Sequence, residues 1–131
     1  VAVTLPPIID AYRQLAGMAE HIVVEGVGGW LAPLADGLEQ SDLVRALELP
    51  VILVVGLKLG CLSHARLTAA AVAADGCRLA GWIGVEVAPP GSDAAAYREL
   101  LASALPARCL GRLPWRPGGD PADVAAELSL G

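Results

Sequence analysis

A chain of 131 residues, 55% of them apolar, is long enough to bury one core, and with 4% aromatics and no phenylalanine that core must be aliphatic. A formal net charge of −5 with no Lys/Arg cluster disfavours nucleic-acid binding. The longest apolar run, Leu49 to Leu57, is broken by Pro50 and falls far short of the ~20 residues that cross a bilayer, so no membrane span is expected. The start of the chain lacks the basic, then apolar, then small-residue pattern of a signal peptide. Cys61, Cys77 and Cys109 fit no zinc or redox spacing, and reduced, mostly buried thiols in a cytoplasmic protein are the expectation. His21 and His64 stand far apart, and no metal ligation is expected of either.

In chain order, Thr4 to Glu20 reads as a helix, with Pro6 and Pro7 in its first turn and Ile8, Ile9, Tyr12, Leu15 and Met18 at helical spacing. Ile22 to Glu25 reads as a short strand covered on both faces, ending on a carboxylate. The glycine-rich loop from Gly26 to Glu39 looks too polar and too broken for a regular element. Ser41 or Asp42 caps a short helix through Glu48, and Pro50 stops it. Val51 to Val55, apolar at every position, is the strongest strand in the chain. Gly56 to Leu62 is loop. Ser63 reads as the N-cap of an alanine-rich helix, His64 to Ala74, with Gly76 where a C′ glycine belongs. Leu79 to Val85 forms the next strand, its glycines permitting close helix-on-sheet packing. After the Pro89-Pro90-Gly91 turn, Ser92 or Asp93 caps a helix to Ala104, with Tyr97, Leu100, Leu101 and Leu105 along one side. Cys109 to Leu113 is a short strand, Pro114 to Gly119 a loop, and Asp120 with Pro121 opens a last helix to Leu128.

Alternating helices and strands with these crossover lengths predict a three-layer α/β fold around a parallel sheet, in one domain over residues 1–131. A mean hydropathy of +0.57 fits a sheet buried on both faces, or apolar surface that meets another segment or subunit. At least one apolar sheet edge is left bare. With Val1 rather than Met at the start, the expectation is that the front of a longer protein is missing.

A parallel sheet gathers the loops at its strand carboxyl ends, here Gly26 to Trp30, Gly56 to Leu62 and Glu86 to Gly91, around one crevice. Glu25 beside glycines that leave backbone bare suits magnesium and the phosphates it bridges; a solvated glutamate at a tight turn is the plainer reading. Gly60-Cys61-Leu62-Ser63 at a helix N-terminus suits a carboxylate or phosphate, or is an ordinary cap without ligand. Lys58 either neutralises an anion or is solvated. Tyr97 either reaches the crevice or packs. Cys61 has no histidine base placed by sequence except His64, so nucleophilic catalysis is not assigned to it.

Val24-Glu25-Gly26-Val27-Gly28-Gly29-Trp30-Leu31-Ala32-Pro33-Leu34 resembles the glutamate-glycine loop of the dethiobiotin synthetase family. The stretch Leu49-Pro50-Val51-Ile52-Leu53-Val54-Val55-Gly56-Leu57-Lys58-Leu59-Gly60-Cys61-Leu62-Ser63-His64 is similar to the same family and is its most specific part. Leu79-Ala80-Gly81-Trp82 and Leu110-Gly111-Arg112-Leu113-Pro114-Trp115 follow in register.

The resemblance implies a P-loop-NTPase-like fold, a homodimer, and an ATP- and magnesium-dependent ligase of biotin biosynthesis. Its small-molecule substrate would be diaminopelargonic acid, closed with carbon dioxide into a cyclic urea. It implies Glu25 as the magnesium ligand, and Glu25, Gly26, Val27 and Gly28 around ATP, with Val85, Glu86, Pro114 and Trp115 bordering the base. Gly60, Cys61, Leu62, Ser63 and Tyr97 would hold the substrate, the first four across the dimer interface.

Three departures accompany it, one being Ser63 where some members of the family carry asparagine. Val85 and Glu86 stand where the family commonly carries an asparagine-aspartate pair, and Val85 has no hydrogen-bonding side chain. No G-x-x-x-x-G-K-[ST] motif is present. The family carries that loop and its catalytic lysines near its N-terminus, so this chain alone is expected to be inactive. Another amidoligase-type P-loop enzyme and a non-catalytic dimerisation or binding module stay open as rivals.

Overall fold

The computed structural model describes residues 3–89 and 93–130. Helix α1, Leu5–Ala16, begins as its prolines dictate, with Pro in the first turn where no intrahelical N–H is lost. It stops at Gly17, short of Glu20, and buries none of its residues. The strand expected over Ile22 to Glu25 does not form. The segment lacks regular structure, and Val23 is 92% exposed. A strand is held by a ladder with a neighbour, and none of the described strands pairs with this one.

The following loop, expected to be irregular, instead holds a small antiparallel hairpin, β1 (Pro33–Ala35) and β2 (Leu38–Glu39). Asp36-Gly37 is a two-residue hairpin signal, and Gly37 takes the left-handed φ of 68° that it supplies. Helix α2, Gln40–Leu47, starts earlier than expected. Its N-cap is Glu39, not Ser41 or Asp42, because Glu39 and Asp42 form a reciprocal capping box. The Glu39 amide donates to Asp42 Oδ2 at 2.8 Å. That N–H, and then the bonded Arg45 guanidinium, hold the Asp42 carboxyl below its ordinary range.

Strand β3 is Val51–Gly56 and helix α3 is Cys61–Ala74. The N-cap of α3 is Gly60 rather than Ser63. At φ 92°, Gly60 turns the chain into the helix before Ser63 is reached. Gly76, at φ 72°, follows the helix end as a C′ glycine should. Strand β4 is Leu79–Val85, and helix α4 is Ala94–Ala104 with Asp93 at its N-cap. The alternative cap Ser92, with Pro90 and Gly91 of the preceding turn, lies outside the described residues. Strand β5 is Cys109–Leu113. Helix α5, Pro121–Ala125, is capped by Asp120, whose side chain accepts from the Ala122 amide at 2.9 Å. It ends before Leu128 because Leu128 instead bridges Gly111 of β5.

The main sheet is parallel, in the order β3-β4-β5. Helices α3 and α4 cover one face. Cys61, Ala65 and Ala69 of α3 and Leu101 of α4 pack with Val55 and Trp82 of the sheet. Alternation then aims Ile52 and Val54 at the other face, where they are 43% and 61% exposed. The expectation of a strand buried on both faces therefore holds for only one face of β3 among the described residues. The outer edge of β3 is also unpaired. Of the cysteines, Cys61 is buried, Cys77 half-buried and Cys109 exposed, so the expectation of mostly buried thiols fails at Cys109, on the strand at the other sheet edge. No described helix is long and apolar enough to cross a membrane.

Close packing between β4 and β5 rests on Gly81, where an added Cβ would lie 2.5 Å from Leu110 Cγ. Gly81→Ala is expected to destabilise the chain by about 1–3 kcal/mol in urea unfolding, the usual penalty of overpacking. Asp42 has a lowered folded-state pKa, so its contribution is present above the unfolded value near 3.8 and is lost as pH falls through the folded one. Below that unfolded value, Asp42→Asn should lose stability less steeply on acidification than the parent chain, as read from urea midpoints.

Candidate functional site

Parallel register aligns the carboxyl ends of the three main strands. Gly56 pairs with Val85, and Val85 with Leu113. The loops that follow are stitched together at the same end. The Leu57 amide donates to the Val85 carbonyl at 2.8 Å, and the Glu86 amide to the Leu113 carbonyl at 2.9 Å. The half-buried Glu86 side chain then reaches across to β5, where Oε2 accepts from the Trp115 amide at 3.3 Å. Its Oε1 lies 3.4 Å from Arg112 Nη1. The structure thus brings Val85, Glu86, Pro114 and Trp115 to one corner, with the Trp115 ring 37% exposed.

Gly60, Cys61, Leu62 and Ser63 form the N-cap and first turn of α3, whose opening N–H groups lack intrahelical acceptors. One of them is already used, since the Cys61 amide donates to the Lys58 carbonyl at 3.0 Å. The Leu62 and Ser63 amides and the exposed Ser63 hydroxyl are the donors left for an anion. Cys61 is 4% exposed and packs within the core. Lys58 is exposed. Tyr97 is half-buried and packs against the α3–α4 core.

Glu25 is exposed on the extended segment ahead of the glycine loop. No hydrogen bond or ion pair among the described residues joins it to Gly60–Ser63 or to Glu86. Gly28 and Gly29 take φ of 31° and 140°, and a Cβ built on either meets nothing within 4 Å. The loop therefore presents bare backbone to open space. Among the described residues no group of three or more His, Cys, Asp or Glu could cage a metal. A lone free carboxylate beside an open glycine loop fits magnesium, which keeps several waters and shares its remaining positions with phosphates.

Sequence reasoning missed the residues that hold this loop. Gln40, buried at the start of α2, accepts from the Val27 amide through Oε1 at 3.4 Å. It also packs on Gly26, where a Cβ would lie 3.0 Å from its side chain. Trp30, 8% exposed, donates from Nε1 to Asp75 Oδ2 at 2.6 Å. Neither Gln40 nor Asp75 belongs to a motif, and each acts over a separation that periodicity does not reveal. Two clefts, one between α1 and α2 and one beside β5, include none of the residues expected to bind ligand.

A parallel α/β sheet whose strand ends carry a helix N-terminus, preceded in the chain by a glycine loop, is the framework of a P-loop-NTPase-like domain. A family model described as an AAA domain matches residues 1–122, and the chain belongs to that family. Over nearly its whole length the chain is also similar to dethiobiotin synthetases. It is 54% identical over 130 residues to the ATP-dependent dethiobiotin synthetase BioD of Xanthomonas euvesicatoria pv. vesicatoria strain 85-10, covering 99% of this chain and 58% of the relative. It is 49% identical over 129 residues to that of Xylella fastidiosa strain 9a5c, covering 98% of this chain and 57% of the relative. The chain thus spans somewhat more than half the length of the curated relatives it matches.

Glu86 links the two strand ends at this corner. Glu86→Ala is expected to lower stability by about 1 kcal/mol and to speed hydrogen exchange of the Trp115 amide more than that of the β4 amides.

Proposed function

We propose that this chain is part of an ATP-dependent ligase that closes diaminopelargonic acid and carbon dioxide into the cyclic urea of dethiobiotin. The observation that carries the reading is the 54% identity, sustained over 130 residues, to a relative named for that activity. In the proposed reaction one amine takes up carbon dioxide as a carbamate, and ATP phosphorylates it. The second amine then attacks the activated carbon, expelling phosphate and closing the ring. Magnesium, when bound, neutralises charge on the transferring phosphoryl group.

In this reading Glu25 holds the magnesium, and the backbone of Gly26, Val27 and Gly28 lines the phosphates. The Leu62 and Ser63 amides, with the Ser63 hydroxyl, hold the substrate carboxylate, while Gly60 shapes the turn and Cys61 anchors it in the core. Tyr97 borders the substrate. The substrate site spans two copies of the chain in a homodimer. Pro114 and Trp115 flank the base, beside Val85 and Glu86. Val85 offers no donor or acceptor, and Glu86 is already engaged by Trp115 and Arg112, so base selection is loose.

Groups beyond these are needed for turnover. Among the described residues, neither the outer edge of β3 nor segment 21–26 has a neighbouring strand. In this proposal the remaining length seen in the relatives supplies that strand together with the phosphate loop and catalytic lysines.

The test is formation of dethiobiotin from diaminopelargonic acid, bicarbonate, magnesium and a nucleotide. The chain completed to its relatives' length should form product, with ATP and GTP rates within about tenfold of each other, and the 131-residue chain should form none. A completed protein that consumes ATP with another diamine but not this one would contradict the substrate assignment. Robust turnover by the 131-residue chain would contradict the need for further groups.

A further inference from the structure

The glycine loop is exposed in its middle and fastened behind. At the front, Gln40 holds Val27 and packs on Gly26. At the rear, the Trp30 carbonyl accepts from the Ser41 amide at 3.0 Å, and the Ala32 carbonyl from the Gln40 amide at 2.9 Å. Among the described residues, the side-chain bond that ties the rear of the loop to the end of α3 runs from the Trp30 indole to Asp75 at its C-cap.

Asp75 is oddly placed for a carboxylate. It is the C-cap of α3, at the negative end of the helix dipole, where local physics favours a cation. A charge-assisted hydrogen bond from a buried indole N–H offsets that penalty and satisfies a donor that would otherwise be costly to bury. Arg45, held in its charged form first by its bond to Asp42, is also favoured by the Asp75 charge.

We propose that Asp75 is a positioning residue: through the Trp30 indole it fixes the rear of the glycine loop, and so the stance of Glu25 and the Gly26–Gly29 backbone. The assignment rests on the reading of that loop as the magnesium and phosphate site. Asp75 touches neither ligand. It converts α3, which opens on the carboxylate-binding turn and closes on Asp75, into a rod that references one loop to the other.

Hydrogen exchange on the 131-residue chain tests this, with Mn²⁺ affinity measured on the same samples. In Asp75→Ala the Gln40 and Ser41 amides should exchange about tenfold faster, while the Trp82 amide in the sheet keeps its rate. Asp75→Asn, which retains an acceptor oxygen, should restore most of the protection. Trp30→Phe, which keeps a buried ring but no N–H, should reproduce Asp75→Ala and decides the matter if that variant does not fold. Mn²⁺ should bind about tenfold more weakly to Asp75→Ala than to Asp75→Asn. Unchanged exchange at Ser41, or an equal rise at Ser41 and Trp82, would overturn the proposal. If the parent chain binds no Mn²⁺, the loop's reading as a cation site fails, and the exchange rates still decide the Asp75 tether.

Discussion

Parallel strand register is the constraint on which the rest of this molecule depends. Because β3, β4 and β5 run the same way, Gly56, Val85 and Leu113 end side by side, and every connection out of the sheet starts from the same end. A one-residue slip would exchange the core face for the open one and would carry Trp82 and Val55 away from α3 and α4. Chemistry is then grafted onto those ends by short polar links. Glu86 bonds β4 to β5, Leu57 bonds the β3 loop to β4, and Gly60 turns α3 so that its first amides face outward.

Elements outside the sheet are organised differently. Segment 21–26 has the composition of a strand without a ladder to join, and its placement depends on side chains rather than backbone pairing. Gln40 meets its end at Gly26, and Trp30 holds the loop that follows to the end of α3. The same imbalance marks the sheet itself, since β3 keeps an apolar face and an unpaired edge. Apolar side chains on an open edge are poorly suited to solvent, and they account for the high mean hydropathy better than the buried core alone does.

The sequence made the sheet legible because its signals are local and strong. Val51 to Val55, between Pro50 and Gly56, and Leu79 to Val85 are dense in apolar residues, and both formed. Caps were less legible. Ser63 is a good N-cap by residue type, yet Gly60 took the position because a left-handed residue turns the chain earlier. Ser41 and Asp42 lost to Glu39 because the reciprocal bond with Asp42 satisfies both ends. The failed strand at Ile22 to Glu25 shows that composition specifies a strand only when a partner exists. Of the candidate site, Glu86 and Trp115 could be named from their register with the family, and the structure brings them together. Gln40 and Asp75 could not, because hydrogen bonds spanning 13 and 45 residues along the chain leave no periodic trace.

If the strand ends form one anion-and-cation pocket, a paramagnetic ion held at Glu25 must sense them together. Titrating Mn²⁺ into the chain and following amide line broadening measures this directly. Broadening should concentrate at Gly26–Gly29 and extend to the loops after β3 and β4, sparing Val51, Leu79 and Cys109 at the opposite sheet end, and it should vanish in Glu25→Gln. Broadening centred on the opposite end, or unaffected by Glu25→Gln, would contradict a shared pocket anchored by this glutamate.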